Sequence, residues 1–128
     1  MNRGHSLELT QVLSWILPAI GLGAVVIGTA AVIMPAKASK SFGIEVHGEA
    51  LPYVQATGAR DIFLGITLLI LFWRHEVLTA GYVCLAIAIV SIVDAFVTWK
   101  NGSKPHTLVH IGGTILVLAY GAWLIAAN

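Results

Sequence analysis

The sequence predicts an all-α membrane protein: a single domain of four transmembrane helices in an up-and-down bundle. Three observations predict it. The 128 residues are 58% hydrophobic and only 10% charged, with a mean hydropathy of +0.89, whereas soluble domains carry about 25% charged residues. Four apolar segments, about 12–34, 51–73, 77–99 and 106–127, are each long enough to cross a ~30 Å hydrocarbon core at ~1.5 Å per residue. The segments are joined by polar connections, and short connections make successive helices antiparallel neighbours. The formal net charge of +1 gives no footing for nucleic acid. The single cysteine, Cys84, cannot close an internal disulfide.

Residues 1–11 are mixed polar, with Arg3, His5 and Glu8. The apolar run that follows is longer than the core of a secretory leader, and Glu8 is foreign to a leader's basic start. It reads as a retained span ending at Pro35. Pro18 should kink it or mark its first turn. Gly21, Ala24 and Gly28 stand at helix-packing spacing.

Residues 36–50 form the longest polar stretch, with Lys37, Lys40, Glu45, His47 and Glu49, and Gly43 and Gly48 as turn points. It reads as a solvated connection, with a lid over a membrane-surface site as the alternative. The second span carries Pro52 in its first turn and exits through Arg74-His75-Glu76. In the third, Ala80, Cys84, Ala88, Ser91 and Ala95 form a small-residue face. Asn101-Gly102 bends the chain into the fourth span, which contains His110, Gly112, Gly113, Thr114 and Tyr120. Trp15, Tyr53, Trp73 and Trp99 fall near span ends, as interfacial aromatics do. Four lysines (37, 40, 100 and 104) on the side of the first and third loops, against Arg3 and Arg74 on the other, favour that loop side as cytoplasmic.

The informative stretch is Gln55 to Gly65, where Arg60 and Asp61 stand about two turns inside a span. Ionised groups in hydrocarbon cost roughly 2.5 kcal/mol or more each on insertion scales and usually serve a function. At 1.5 Å per residue these two lie roughly 12–15 Å from the first-loop side, Asp94 roughly 8 Å and His110 roughly 6 Å from that same side. Three spans therefore place ionisable side chains in one half of the bilayer, and the other half is almost purely apolar. Thr57 and Asp61 share a face, as do Ser91, Asp94 and Thr98. An arginine between two aspartates is compensated in charge, whereas any one alone would be severely penalised.

Plain structural readings stand beside the functional one. Asp94 and His110 could snorkel to the interface, and Arg60-Asp61 could simply lock helices together. His106 and His110 have helical metal-ligand spacing, but nothing joins them and Asp94 convincingly, so no metal and no cofactor is expected. Ser91, His110 and Asp94 lack the context of a hydrolase nucleophile.

Two carboxylates with an arginine between them form an acid/base device: one donates a proton while its neighbour accepts one. That suits the opening of a strained ether such as an epoxide. The acid protonates the departing oxygen, and the base activates water or an internal hydroxyl of the substrate. The set is similar to the Asp-Arg-Asp of limonene-type soluble epoxide hydrolases, which have an unrelated fold. Asp61, Asp94, Arg60 and His110 are the candidate catalytic residues. Thr57, Ser91, His106, Tyr53 and Gln55 are the candidate substrate contacts. A lipophilic substrate would reach them from the bilayer.

Gly58-Ala59-Arg60-Asp61 followed by Gly65, then Val93-Asp94-Ala95, then His110 with Gly112-Gly113, resembles a family of small four-helix membrane proteins from fungi and bacteria. Relatives of that family include fungal membrane-bound epoxide hydrolases/cyclases. The resemblance covers the last three spans and implies that Arg60, Asp61, Asp94 and His110 line the site. The leading expectation is an integral membrane epoxide hydrolase or cyclase. The alternatives are a small proton-linked transporter and a structural membrane protein whose charges hold the helices in register. The small-residue faces could also support a homodimer.

Overall fold

The computed structural model describes residues 13–128, and every regular element among them is helical. Arg3, His5, Glu8 and the expected start of the first span at 12 lie outside the described residues. Helix α1 is Ile16–Ile33, α2 is Pro35–Phe42, α3 is Leu51–Trp73, α4 is Val77–Asn101 and α5 is Lys104–Ala126. Of these α1, α4, α5 and α3 with the turn before it are long and apolar enough to cross a membrane. The expected four-span bundle is therefore the fold.

Pro18 falls in the first turn of α1, and the helix is interrupted at Trp15 just before it. A proline ring clashes with the carbonyl four residues back, so the turn there cannot close. Pro52 likewise stands in the first turn of α3. Helix α3 ends through a left-handed His75 (φ 59°). The His75 and Glu76 amides donate to the Phe72 and Leu71 carbonyls at 3.1 and 2.9 Å, closing the end in a Schellman motif.

The polar stretch after the first span differs from expectation. Residues 35–42 are a helix, not an irregular connection. Pro35 ends α1 and at the same time begins α2, since its fixed φ and missing N–H suit a first helical position. Gly43 closes α2 at φ 106°, with Gly43 and Ile44 amides donating to Lys40 and Ser39 carbonyls. The buried Ser39 hydroxyl donates to Ala36 O at 2.9 Å and accepts from Val46 N–H at 3.3 Å, folding the chain back toward α3. The third and fourth spans also run slightly beyond 77–99 and 106–127 on the loop side, to Asn101 and from Lys104.

The four spans pack as two intimate pairs, α1 with α3 and α4 with α5, which meet each other more lightly. Glycine makes each pair intimate. A Cβ on Gly65 would sit 2.5 Å from Gly21 O, and one on Gly28 would sit 2.5 Å from Gly58 O. In the α1–α3 pair the two glycines on each helix are seven residues apart, so these antiparallel helices meet twice along one seam. The apolar core shared by both pairs lies toward the α3–α4 turn: Leu17, Leu68, Ala80, Cys84, Ala88, Val117, Tyr120 and Leu124. Tyr120 closes it by donating to Leu13 O at 2.9 Å.

Candidate functional site

With Gly58 and Gly65 seated on α1, α3 can turn only one remaining flank toward α4. Asp61 lies two turns before Leu68 and so shares the face that buries it. Arg60 starts about 100° round the helix and folds back. Its Nε and Nη2 donate to Asp61 Oδ1 at 3.0 and 2.9 Å. The same Nη2 donates to Asp94 Oδ2 on α4 at 3.4 Å. One guanidinium nitrogen thus touches carboxylates from two helices, at the place where the two helix pairs meet. The three side chains are part-buried, with 35%, 23% and 21% of the Arg60, Asp61 and Asp94 side chains exposed. The turn that carries Asp94 is held by Thr98 Oγ1, which donates to Asp94 O at 2.7 Å.

The other candidates are distributed unevenly. His110 lies within electrostatic range of Asp94, but its Nε2 donates to the Phe42 carbonyl at 3.1 Å and its ring lies 4.4 Å from that of Phe42. It ties α5 to the end of α2 and makes no hydrogen bond to the triad. His106 Nδ1 is bonded to Ser103 Oγ at 2.6 Å, at the start of α5. The two histidines, which stand at helical metal-ligand spacing, bond to different partners. Thr57 is half-buried and donates to Tyr53 O within its own helix at 3.0 Å. Ser91 is half-buried one turn before Asp94.

Tyr53 is 78% exposed. Gln55, also exposed, donates to Val32 O at 3.0 Å and fastens the start of α3 to the end of α1. Neither reaches the triad, because both lie more than a turn nearer the helix end. Phe42 is the neighbour that sequence reasoning missed. The one signal for it was the left-handed stop at Gly43, which would have turned residues 35–42 into a helix with its last carbonyl facing α5. An open apolar groove of about 330 Å³ lies between α4 and α5, lined by Ala95, Phe96, Trp99, Thr107 and Ile111, and none of the triad lines it.

Comparison with known families matches residues 21–124 to the family described as Domain of unknown function (DUF4267). The chain belongs to the DUF4267 family. No curated protein and no solved structure matches it. The DUF4267 match extends the expected resemblance, which covered only the last three spans, to most of α1. That extension has a structural reason, since Gly58 and Gly65 of the motif are spent on contact with Gly28 and Gly21 of α1. Within the motif the glycines build the helix pair, and Arg60 and Asp61 reach toward α4 instead.

Proposed function

We propose that the protein is an integral membrane enzyme that opens an epoxide on a lipophilic substrate, by hydrolysis or by internal cyclisation. The observation that carries the reading is the single Arg60 Nη2 held between Asp61 and Asp94. It fixes two carboxyl groups within reach of one small reacting centre. Positioned carboxyl pairs of this kind supply general acid and general base together.

The hydrogen bonds support one division of roles. Asp61 Oδ1 receives two guanidinium bonds, so Asp61 is the carboxylate best held as a base. Asp94 receives one longer bond and acts as the acid. The Asp94 proton passes to the epoxide oxygen as its C–O bond breaks. A water, or a hydroxyl of the substrate, attacks the carbon and gives its proton to Asp61. Transfer of that proton to Asp94 restores the starting state, and the product is a diol or a cyclic ether. Arg60 holds both groups and stabilises charge during the step.

The test is turnover of a lipophilic epoxide, such as methyl 9,10-epoxystearate, by protein in lipid nanodiscs. Asp61→Asn and Asp94→Asn should each lower kcat by at least about 100-fold, the scale of general acid–base catalysis. Helical content by circular dichroism should be unchanged. Full activity in either folded variant would refute the assignment.

One observation favours a second reading. The Arg60–Asp94 bond crosses the lighter of the helix contacts, so the triad could serve as a bolt between two helix pairs. Replacing Arg60, Asp61 and Asp94 together by leucine separates the two. A bolt can be replaced by good apolar packing, whereas an acid/base site cannot.

A further inference from the structure

The loop-side end of the bundle brings like charges together. Lys37 and Lys40 on α2, Lys100 in the last turn of α4 and Lys104 at the first residue of α5 are all exposed. Among the described residues none of them is in an ion pair, while Glu45 faces His47 at 3.7 Å and the remaining ion pairs belong to Arg60. The segments that carry the lysines touch. A Cβ on Gly102 would sit 2.6 Å from Gly43 O, and one on Gly43, at φ 106°, would strike His106 Cβ. Two glycines are therefore used to draw the end of α2 against the α4–α5 turn, with Lys40, Lys100 and Lys104 within three residues of the contact.

Helix dipoles explain part of this. Lys40 and Lys100 stand in last turns, where a cation is favoured. Lys104 opens α5, where the exposed amides and the dipole favour an acid instead. A cation there, beside Lys100, adds to a positive end rather than offsetting one. In a chain whose long helices cross a bilayer, this end lies at the headgroup level of one leaflet. Exposed Trp99 beside Lys100 is the residue type that settles at that level. The natural counter-charge there is lipid phosphate.

We infer that Lys37, Lys40, Lys100 and Lys104 form a cationic collar that binds the headgroups of anionic phospholipids in the leaflet on the α2 side. Four lysines near one surface are enough to select anionic over zwitterionic lipid, because each contributes additively and falls off within a Debye length. The collar also fixes which leaflet faces the half of the bundle that carries the triad, whatever that triad does.

The experiment uses the full chain in detergent micelles, supplemented with either phosphatidylglycerol or phosphatidylcholine. The readouts are lipid retained in native mass spectrometry and the midpoint of thermal unfolding. Phosphatidylglycerol should be retained preferentially and should raise the midpoint, and both effects should shrink in high salt. Each Lys→Gln change should weaken retention roughly fivefold, and Lys37→Gln/Lys40→Gln/Lys100→Gln/Lys104→Gln should abolish the preference. Equal retention and equal midpoints for the two lipids in the wild-type chain would overturn the inference without need of any variant. So would a preference that survives in the quadruple variant.

Discussion

The two halves of this bundle are built on different principles. Toward the α3–α4 turn, the buried side chains are Leu17, Leu68, Ala80, Cys84, Ala88, Val117, Tyr120 and Leu124, and both helix pairs contribute to one apolar core. Toward α2, the buried residues are Gly28, Ala31, Ser39, Gly58, Thr98, Thr107 and Thr114, none of them large and apolar. That second half holds Arg60, Asp61 and Asp94 where the helix pairs meet. A membrane bundle needs only packing to hold together. The polar half gives up apolar packing for a cluster of charges, and the apolar half supplies the large buried side chains.

The sharpest way to break that comparison is Arg60→Leu. It leaves two carboxylates without their shared cation. Removing one partner of a buried ion pair costs several kcal/mol, and with the guanidinium a third exposed we expect the low end, roughly 3 kcal/mol. Thermal or denaturant unfolding in nanodiscs reads it. Arg60→Leu/Asp61→Leu/Asp94→Leu should recover most of that loss, because apolar replacement of a whole buried ionic set is often neutral or better. The same triple variant should show no epoxide turnover. Stability restored without activity would mean that the charges are held for function.

Next in size are changes to the packed parts. Leu68 is fully buried, and Leu68→Ala should cost roughly 2–3 kcal/mol through lost contacts and a cavity. Gly65→Ala should cost about 2 kcal/mol, since its Cβ would meet Gly21 O at 2.5 Å and the helices would have to part. Gly113→Ala, where a Cβ meets nothing within 4 Å, should be neutral or slightly stabilising. Unfolding midpoints of the three variants side by side test the claim that glycine is spent only where helices touch. Tyr120→Phe is milder than Leu68→Ala or Gly65→Ala. It forfeits one hydrogen bond to Leu13 O, and a loss of about 1 kcal/mol is expected in the same assay.

Much of this architecture was legible before any coordinates. The spans followed from composition and length. The meeting of Arg60, Asp61 and Asp94 followed from depth, because a charge in lipid must find a partner at its own level. Helix α2 was not legible for a physical reason. Its inward face, Pro35, Ala38, Ser39 and Phe42, keeps helical spacing but spans only eight residues and carries one large apolar side chain, and Pro35 reads equally well as the stop of one helix and the start of the next. The partner of His110 was hidden by the same gap. Its depth was right for Asp94, but the Phe42 carbonyl reaches it only because the end of α2 is set beside the start of α5. Tyr53 and Gln55 were placed near the site by sequence proximity to Arg60, although helical rise carries them toward the interface.

The smallest expected loss bears most directly on how the polar half is held. Thr98 is fully buried, and Thr107 and Thr114 nearly so, yet each hydroxyl bonds the carbonyl four residues back in its own helix. None of these bonds crosses between helices. Thr98→Val should therefore cost no more than about 0.6 kcal/mol, the average for polar contacts inside membrane bundles, and epoxide turnover should change by less than about fivefold. A loss above about 1.5 kcal/mol would mean that the buried threonines are the cement of this half. If the effect is as small as the geometry indicates, Arg60 is the principal bond between α3 and α4 on the loop side, and the two helix pairs are free to separate there as far as that one side chain allows.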